Sequence, residues 1–410
     1  MSSLCEIPTP SRRALLAGSG ALFGWAFLPR FAGAADGRDP RLVVVILRGA
    51  LDGLSAVAPV GDPDYVALRE SIALSLSGDH PALALDGFFA LHPAMPNLAR
   101  IYREGHALVV HAAATPYRLR SHFDGQDVLE SGQPGVGSVE TGWLNRALSA
   151  LPKGDRVGVR GAVGVGVVTP LVLRGPASVL GWAPPVIARA DDDLAARVLD
   201  LYAHRDPRLC DALGKGLETD RLASHAGMAN ERARGGSDTA DGMKLAASGA
   251  ARLLAQDDGP RLAALAFDGW DTHANEGAAT GRLASLLGGL DGALAAFEET
   301  LRPAWKDTAI LVVTEFGRTA RVNGTVGTDH GTATVAFLLG GAVKGGRVIA
   351  DWPGLKEARL FEKRDLAPTT DLRGVFKGVL ADHLGLSAAV LGSRVFPESA
   401  KVAPLKGLIV

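Results

Sequence analysis

The residues with chemistry to offer gather in a few places. Between Thr308 and Gly331 the chain reads TAILVVTEFGRTARVNGTVGTDHG. Glu315 and Arg318 stand directly after the apolar run Ala309–Val313, and a glycine-rich excursion then delivers Asp329 and His330 side by side. The same grammar occurs once upstream, where the run Leu262–Phe267 is followed by Asp268, Asp271 and His273. Asp271 and His273 are two apart, so an extended segment points both side chains the same way. A carboxylate and an imidazole converging in this manner suit zinc or another divalent transition metal.

Such residues need rigid elements to hold them. Ala309–Val313 and Leu262–Phe267 have the length and composition of buried strands. Arg41–Leu47, RLVVVIL, is a third such run, of the kind covered on both faces of a sheet. It exits into Arg48-Gly49-Ala50-Leu51-Asp52-Gly53, so Asp52 reads either as a plain turn residue or as a ligand at the strand exit. A fourth strand is expected over Ala107–Ala113, followed by Ser121 and a helix from His122 to Leu129. Ser121 with Asp124 three residues on resembles a capping box, which makes Ser121 a helix cap. The same position places a hydroxyl among unpaired N–H groups at a helix N-terminus, where a phosphate or sulfate can be held. Both readings stand.

The long helix expected over Ala278–Leu301 carries Leu283, Leu286, Leu287, Leu290, Leu294 and Phe297 at helical spacing, which is core packing. Strand, helix, strand from Leu262 to Thr314 is a right-handed crossover of a parallel sheet. Short β-like segments over Val163–Val168 and Pro170–Leu173 read as sheet edges and loops around the site. A further strand is expected over Thr332–Leu339, and a last helix from Thr370 or Asp371. His383 near its end reads as a terminal cation or surface residue.

The first residues are of another kind. Arg12-Arg13 precede an apolar stretch from Ala14 to Pro29, and Ala32-Gly33-Ala34 offers small residues to a signal peptidase. This is the pattern of a twin-arginine export signal, residues 1–34, and it is shorter than the ~20 apolar residues of a spanning helix. The expected destination is the periplasm or the exterior, reached in the folded state, with the export machinery as a partner and no membrane anchor after cleavage. Loss of Arg12, Arg13, Arg30 and Glu6 moves the formal net charge from −1 to −3. No basic excess remains to neutralise nucleic-acid phosphates. Cys5 leaves with the signal, so Cys210 is the one mature cysteine and an intramolecular disulfide is impossible.

The twin-arginine signal and then LRGALDGLS, RSHFDGQDVLESG, TGWLNR, FDGWDTHANE, TEFGRT and GTDHG follow in one order. In this the chain resembles the exported bacterial family known as domain of unknown function 1501, which is similar to the alkaline phosphatase and sulfatase superfamily. The resemblance covers nearly the whole mature chain. It implies an α/β fold, an alkaline-phosphatase-like three-layer sandwich with a mostly parallel central sheet flanked by helices, as one domain over residues 35–410.

The resemblance also implies roles. Asp52 matches the superfamily's metal-bridging Asp after the first strand, and Ser121 its nucleophile at a helix start. Asp271, His273 and His330, with Asp329 beside the last, match metal ligands. Where a second Asp-His pair is the pattern, this chain has Glu315-Phe316, and Phe316 cannot ligate. Arg318 takes the anion-binding role, because its guanidinium fork matches two phosphate or sulfate oxygens. The implied activity is metal-dependent hydrolysis of a small anionic ester through Ser121, with zinc first and calcium, magnesium or manganese as the alternatives. Thr115-Pro116-Tyr117-Arg118 lacks the sulfatase maturation context, which favours a phosphoric over a sulfate ester. The Glu315-Phe316 departure supports a different class, a secreted binding or accessory protein that keeps the fold without turnover.

Overall fold

The computed structural model describes residues 39–137, 139–152, 154–184, 192–228 and 236–410. The expected export signal, residues 1–34, lies outside them. Nine strands form the main sheet: β1 (Arg41–Leu47), β2 (Ala107–Ala114), β3 (Ala162–Val165), β4 (Val179–Trp182), β5 (Leu262–Phe267), β6 (Thr308–Thr314), β7 (Thr334–Leu339), β8 (Arg347–Ile349) and β9 (Thr370–Asp371). Their order is β8-β2-β7-β6-β1-β5-β3-β4, with β9 beside β2. β1 is central and pairs in parallel with β5 on one side and β6 on the other. All seven of its residues are buried because both faces are covered. Val43, Val45 and Leu47 enter one core cluster and Leu42, Val44 and Ile46 the other, as the period of two requires.

The first cluster packs under α1 (Pro96–Arg103) and under two long helices described below; the second packs under a pair on the opposite face. This is the expected three-layer α/β class. Five further helices, in chain order, are α2 (His122–Ser131), α3 (Trp143–Ala150), α4 (Ala240–Ala255), α5 (Arg282–Thr300) and α6 (Leu372–Leu384). Leu283, Leu287, Leu290, Leu294 and Phe297 of α5 join the first cluster with Met243 and Leu254 of α4. Trp143 and Leu144 of α3 and Val375, Phe376 and Val379 of α6 join the second. Each fully buried Leu of α5 contributes about 1.5–3 kcal/mol, and Leu290→Ala would cost about 2–5 kcal/mol through the cavity it leaves. The helix α6 starts on the Asp371 carboxylate, which accepts the Arg373 N–H at 2.8 Å. It stops at Gly385, whose φ of +72° suits a residue without a Cβ. No helix among the described residues is long and apolar enough to cross a membrane.

One strand decides where the site can form. β7 runs antiparallel to both β6 and β2, while all other pairings in the sheet are parallel. Its first residue therefore lies at the same edge as the last residues of β1, β2, β5 and β6. Asp329 and His330, which precede β7, meet the loops that follow those strands.

Of the expected edges and loops, Ala162–Val165 is the strand and Pro170–Leu173 a loop: Leu171–Leu173 is a 3-10 turn closed by Leu173 N–H on the Pro170 carbonyl, and proline has no N–H for a ladder. One expectation is corrected. His383 is no surface residue. It is 2% exposed, and its Nε2 lies 2.9 Å from the Arg41 carbonyl, tying α6 to the start of β1.

Candidate metal centre

Close backbone packing brings the loops together. Gly49 follows β1 with a φ of +119°, and a Cβ built there would lie 2.6 Å from the Asp271 nitrogen. Only glycine lets the β1 loop lie against the β5 loop in this way. From there the Gly49 N–H reaches Glu315 Oε1 at 2.9 Å. Arg318 and His330 pair as an isolated antiparallel bridge, which holds the loop after β6 against the loop before β7. Beyond β2 the chain passes Arg120, whose φ of +62° is strained for a residue with a side chain. It then enters α2, placing His122 in the first turn.

Three imidazoles and one carboxylate converge here. His122 Nε2 lies 2.9 Å from His330 Nε2, and His330 Nε2 lies 3.0 Å from His273 Nε2. Asp271 sits among them: Oδ1 is 3.1 Å from His273 Nε2 and 3.4 Å from His330 Nε2, and Oδ2 is 3.5 Å from His122 Nε2. The ligand atoms of His122, Asp271 and His330 all lie within 4.8 Å of one another.

The far side of each ring fixes its tautomer. His122 Nδ1 faces Glu315 Oε1 at 2.8 Å, His330 Nδ1 the Arg120 carbonyl at 2.9 Å, and His273 Nδ1 Asp329 Oδ1 at 3.2 Å. A carbonyl or carboxylate oxygen only accepts, so each neutral ring donates from Nδ1 and keeps a lone pair on Nε2. Three Nε2 lone pairs and a carboxylate then face one another, which is unfavourable without a cation among them. Zinc bonds of ~2.0–2.1 Å to four tetrahedral ligands set neighbouring donor atoms about 3.4 Å apart. The spacing within the His122, Asp271 and His330 group, 2.9 to 3.5 Å, is of that order, with His273 beside it, and oxygen partners on the non-ligating nitrogens are the usual support of metal-binding histidines.

The charges agree. The hydrogen bond to Glu315 raises the His122 pKa against the effect of burial. Burial lowers that of His330, against its bond to the Arg120 carbonyl. Burial would raise the Asp271 carboxyl, but the hydrogen bond and charge of Arg318 outweigh it and hold it below the usual range. Glu315 behaves likewise: burial is overcome by the donors His122, Gly49 and Gln126. Phe316 completes the wall by stacking on His122, with ring centroids 5.0 Å apart.

The expected site residues therefore divide. Asp271, His273 and His330 meet at the centre. Glu315 and Asp329 do not reach it directly and instead anchor His122 and His273. Asp52 is buried elsewhere: its carboxylate caps the short helix Gly53–Ala56 and pairs with Arg69 at 2.5 Å, so both oxygens are engaged. Arg318 is also placed differently from the anion clamp implied for it. Its fully buried guanidinium turns inward, donating to Asp271 Oδ1 at 2.6 Å and to the side chain and carbonyl of Thr328. Ser121 is the N-cap residue by backbone geometry, yet its side chain makes no cap bond.

His122 was not singled out by the sequence reading, although it follows Ser121 directly and opens a helix after a buried strand. Glu276 and Arg69 were missed as well. Glu276 accepts from Ser55, Thr272 and Thr328, and so links the Asp52–Arg69 pair through Thr328 to Arg318 and Asp271.

Residues 39–395 match a family described as "Protein of unknown function (DUF1501)". No curated protein matches the sequence. Among solved structures, the chain is similar to the phosphonate monoester hydrolase of Agrobacterium radiobacter, at 13% identity over 85% of this chain and 74% of that one, with a TM-score of 0.40. A protein of the alkaline phosphatase superfamily from Vibrio parahaemolyticus matches at 14% identity over 76% and 62%, with a TM-score of 0.32. A sulfatase from Pseudoalteromonas sp. matches at 12% identity over 83% and 68%, with a TM-score of 0.33.

Proposed function

We propose that this chain, which belongs to the DUF1501 family, is an exported metal-dependent hydrolase of phosphoric esters. The convergence of three Nε2 lone pairs on Asp271 at the carboxyl edge of the sheet carries the reading. His122, Asp271 and His330, with His273, are the residues that would hold the ion. When bound, a divalent ion, zinc first and calcium, magnesium or manganese as alternatives, supplies Lewis acidity toward an ester oxygen and a water. Glu315, Asp329 and the Arg120 carbonyl keep the imidazoles in the ligating tautomer, and Arg318 keeps Asp271 oriented and ionised.

Ser121 is the nucleophile in this reading. Its hydroxyl is not used for capping, and the first N–H groups of α2 favour negative charge beside it. Its Oγ bonds to phosphorus as the alcohol of the ester leaves; water then replaces the serine and releases phosphate. Export in the folded state belongs to the same proposal and is supported by Arg12-Arg13, the apolar run and Ala32-Gly33-Ala34.

A secreted binding or accessory protein is the second reading. Arg318 favours it, since the guanidinium expected to clamp substrate oxygens is directed into the protein. Metal content and 4-nitrophenyl phosphate hydrolysis, measured on the parent and on His273→Ala, His330→Ala and Ser121→Ala, separate the two. A hydrolase loses metal in both histidine variants, and keeps metal but loses turnover in Ser121→Ala. Turnover in Ser121→Ala equal to the parent's removes the nucleophile. A metal-loaded parent without turnover on phosphate and sulfate esters selects the binding protein.

A further inference from the structure

At the exits of β1 and β5 lies a cavity of about 460 Å³. Val165, Val167, Val168 and Pro170 line it from β3 and the chain beyond, Ala246 from α4, and Arg48 and Asp268 from the exits of β1 and β5. Its size is within the ~300–1,000 Å³ of small-molecule pockets. The two charged side chains already have partners: Arg48 donates to Glu130 at 2.8 Å, and Asp268 accepts from Ser237. What the wall offers a ligand is largely apolar, and Val167 and Val168 are 91% and 67% exposed. Covering such surface with another apolar group is favourable.

The loops that line the cavity continue into the metal centre. Asp268 lies three residues before Asp271 in one loop. Arg48 immediately precedes Gly49, and its carbonyl accepts the Trp270 N–H at 3.3 Å, one residue from Asp271. The helix α2 carries His122 at its start and Glu130, the partner of Arg48, near its end.

We infer that this cavity receives an apolar group of the ester whose anionic head lies at the metal centre. The substrate class is then an ester of an aliphatic or aromatic alcohol, since a sugar or nucleoside would need many polar partners in the wall. The inference rests on the hydrolase reading.

The test uses the metal-loaded mature protein and three probes: methylphosphonate, octylphosphonate and octan-1-ol, titrated calorimetrically. Each buried methylene is worth roughly fourfold in affinity, so octylphosphonate should bind on the order of tenfold or more tighter than methylphosphonate. Ala246→Trp, which fills the cavity, and Val168→Asp, which charges an exposed lining position, should abolish that margin and leave methylphosphonate unaffected. Equal binding of the two phosphonates to the parent overturns the inference, as does a margin retained in both variants. Phosphonates that bind no tighter than octanol, with octanol binding still lost in the variants, overturn the hydrolase reading and uphold the apolar cavity.

Discussion

The Nε2 atoms of His122 and His330 lie 2.9 Å apart across 208 residues of sequence. Their Nδ1 atoms point away, to Glu315 and to the Arg120 carbonyl. Two imidazoles held back to front in this way present lone pairs to each other, and a cation between them resolves the conflict. Asp271 and His273 supply the remaining donors. The geometry makes His122 a candidate ligand and Glu315 its support.

Asp52 should be separable from the centre. Asp52→Asn keeps the helix cap but removes the charge opposite buried Arg69, a loss of about 3–5 kcal/mol. Urea unfolding of the parent and variant should show this loss, while zinc bound per chain stays unchanged. Metal loss from a variant that is still folded would put Asp52 back among the ligands.

Glu276 makes stability depend on pH. Burial, then the charge of Asp52, push its carboxyl up to about 8. A folded pKa above the unfolded value stabilises fully below the unfolded pKa, and the gain disappears as pH rises through about 8. The urea midpoint of metal-free parent should therefore fall between about pH 5 and 9 more steeply than that of Glu276→Gln. Parallel profiles would exclude the effect.

Arg318→Lys tests orientation. A lysine cannot hold Asp271 and Thr328 at once, because it lacks the planar fork. Zinc affinity, measured by chelator competition, should fall about 10- to 100-fold for a stability loss of about 1–3 kcal/mol. Unchanged affinity would leave Arg318 without a part in the centre.

Gly49→Ala strikes the loop contact. The added Cβ would lie 2.6 Å from the Asp271 nitrogen at a φ of +119°. A cost of about 1–3 kcal/mol should appear in the thermal midpoint, together with weaker metal binding as the Asp271 loop is displaced. A midpoint equal to the parent's would show that the loop yields freely.

Much of this architecture is legible in sequence because it depends on long periodic runs. The limits of β5 are read correctly to the residue, and β1 is found through its unbroken Val/Ile/Leu composition, since a strand buried on both faces has no polar side. The meeting of Asp271, His273 and His330 follows from strand exits alone. Distinguishing direct ligands from their supports needs distances: Glu315 and Asp329 sit at the right exits but one imidazole away. Asp52 and Arg318 have the right chemistry, yet side chains that no strand pattern marks, Arg69 and Thr328, take up their polar groups. His122 hid behind Ser121, because a helix start explains both residues without a metal.

The most direct test of the centre is metal content per chain by mass spectrometry for natively exported protein and for His122→Ala. The proposed centre predicts about one divalent ion in the parent and its loss from a folded His122→Ala. A parent that carries no ion and takes up none from zinc solution, or a His122→Ala variant that keeps the parent's full content, would contradict it.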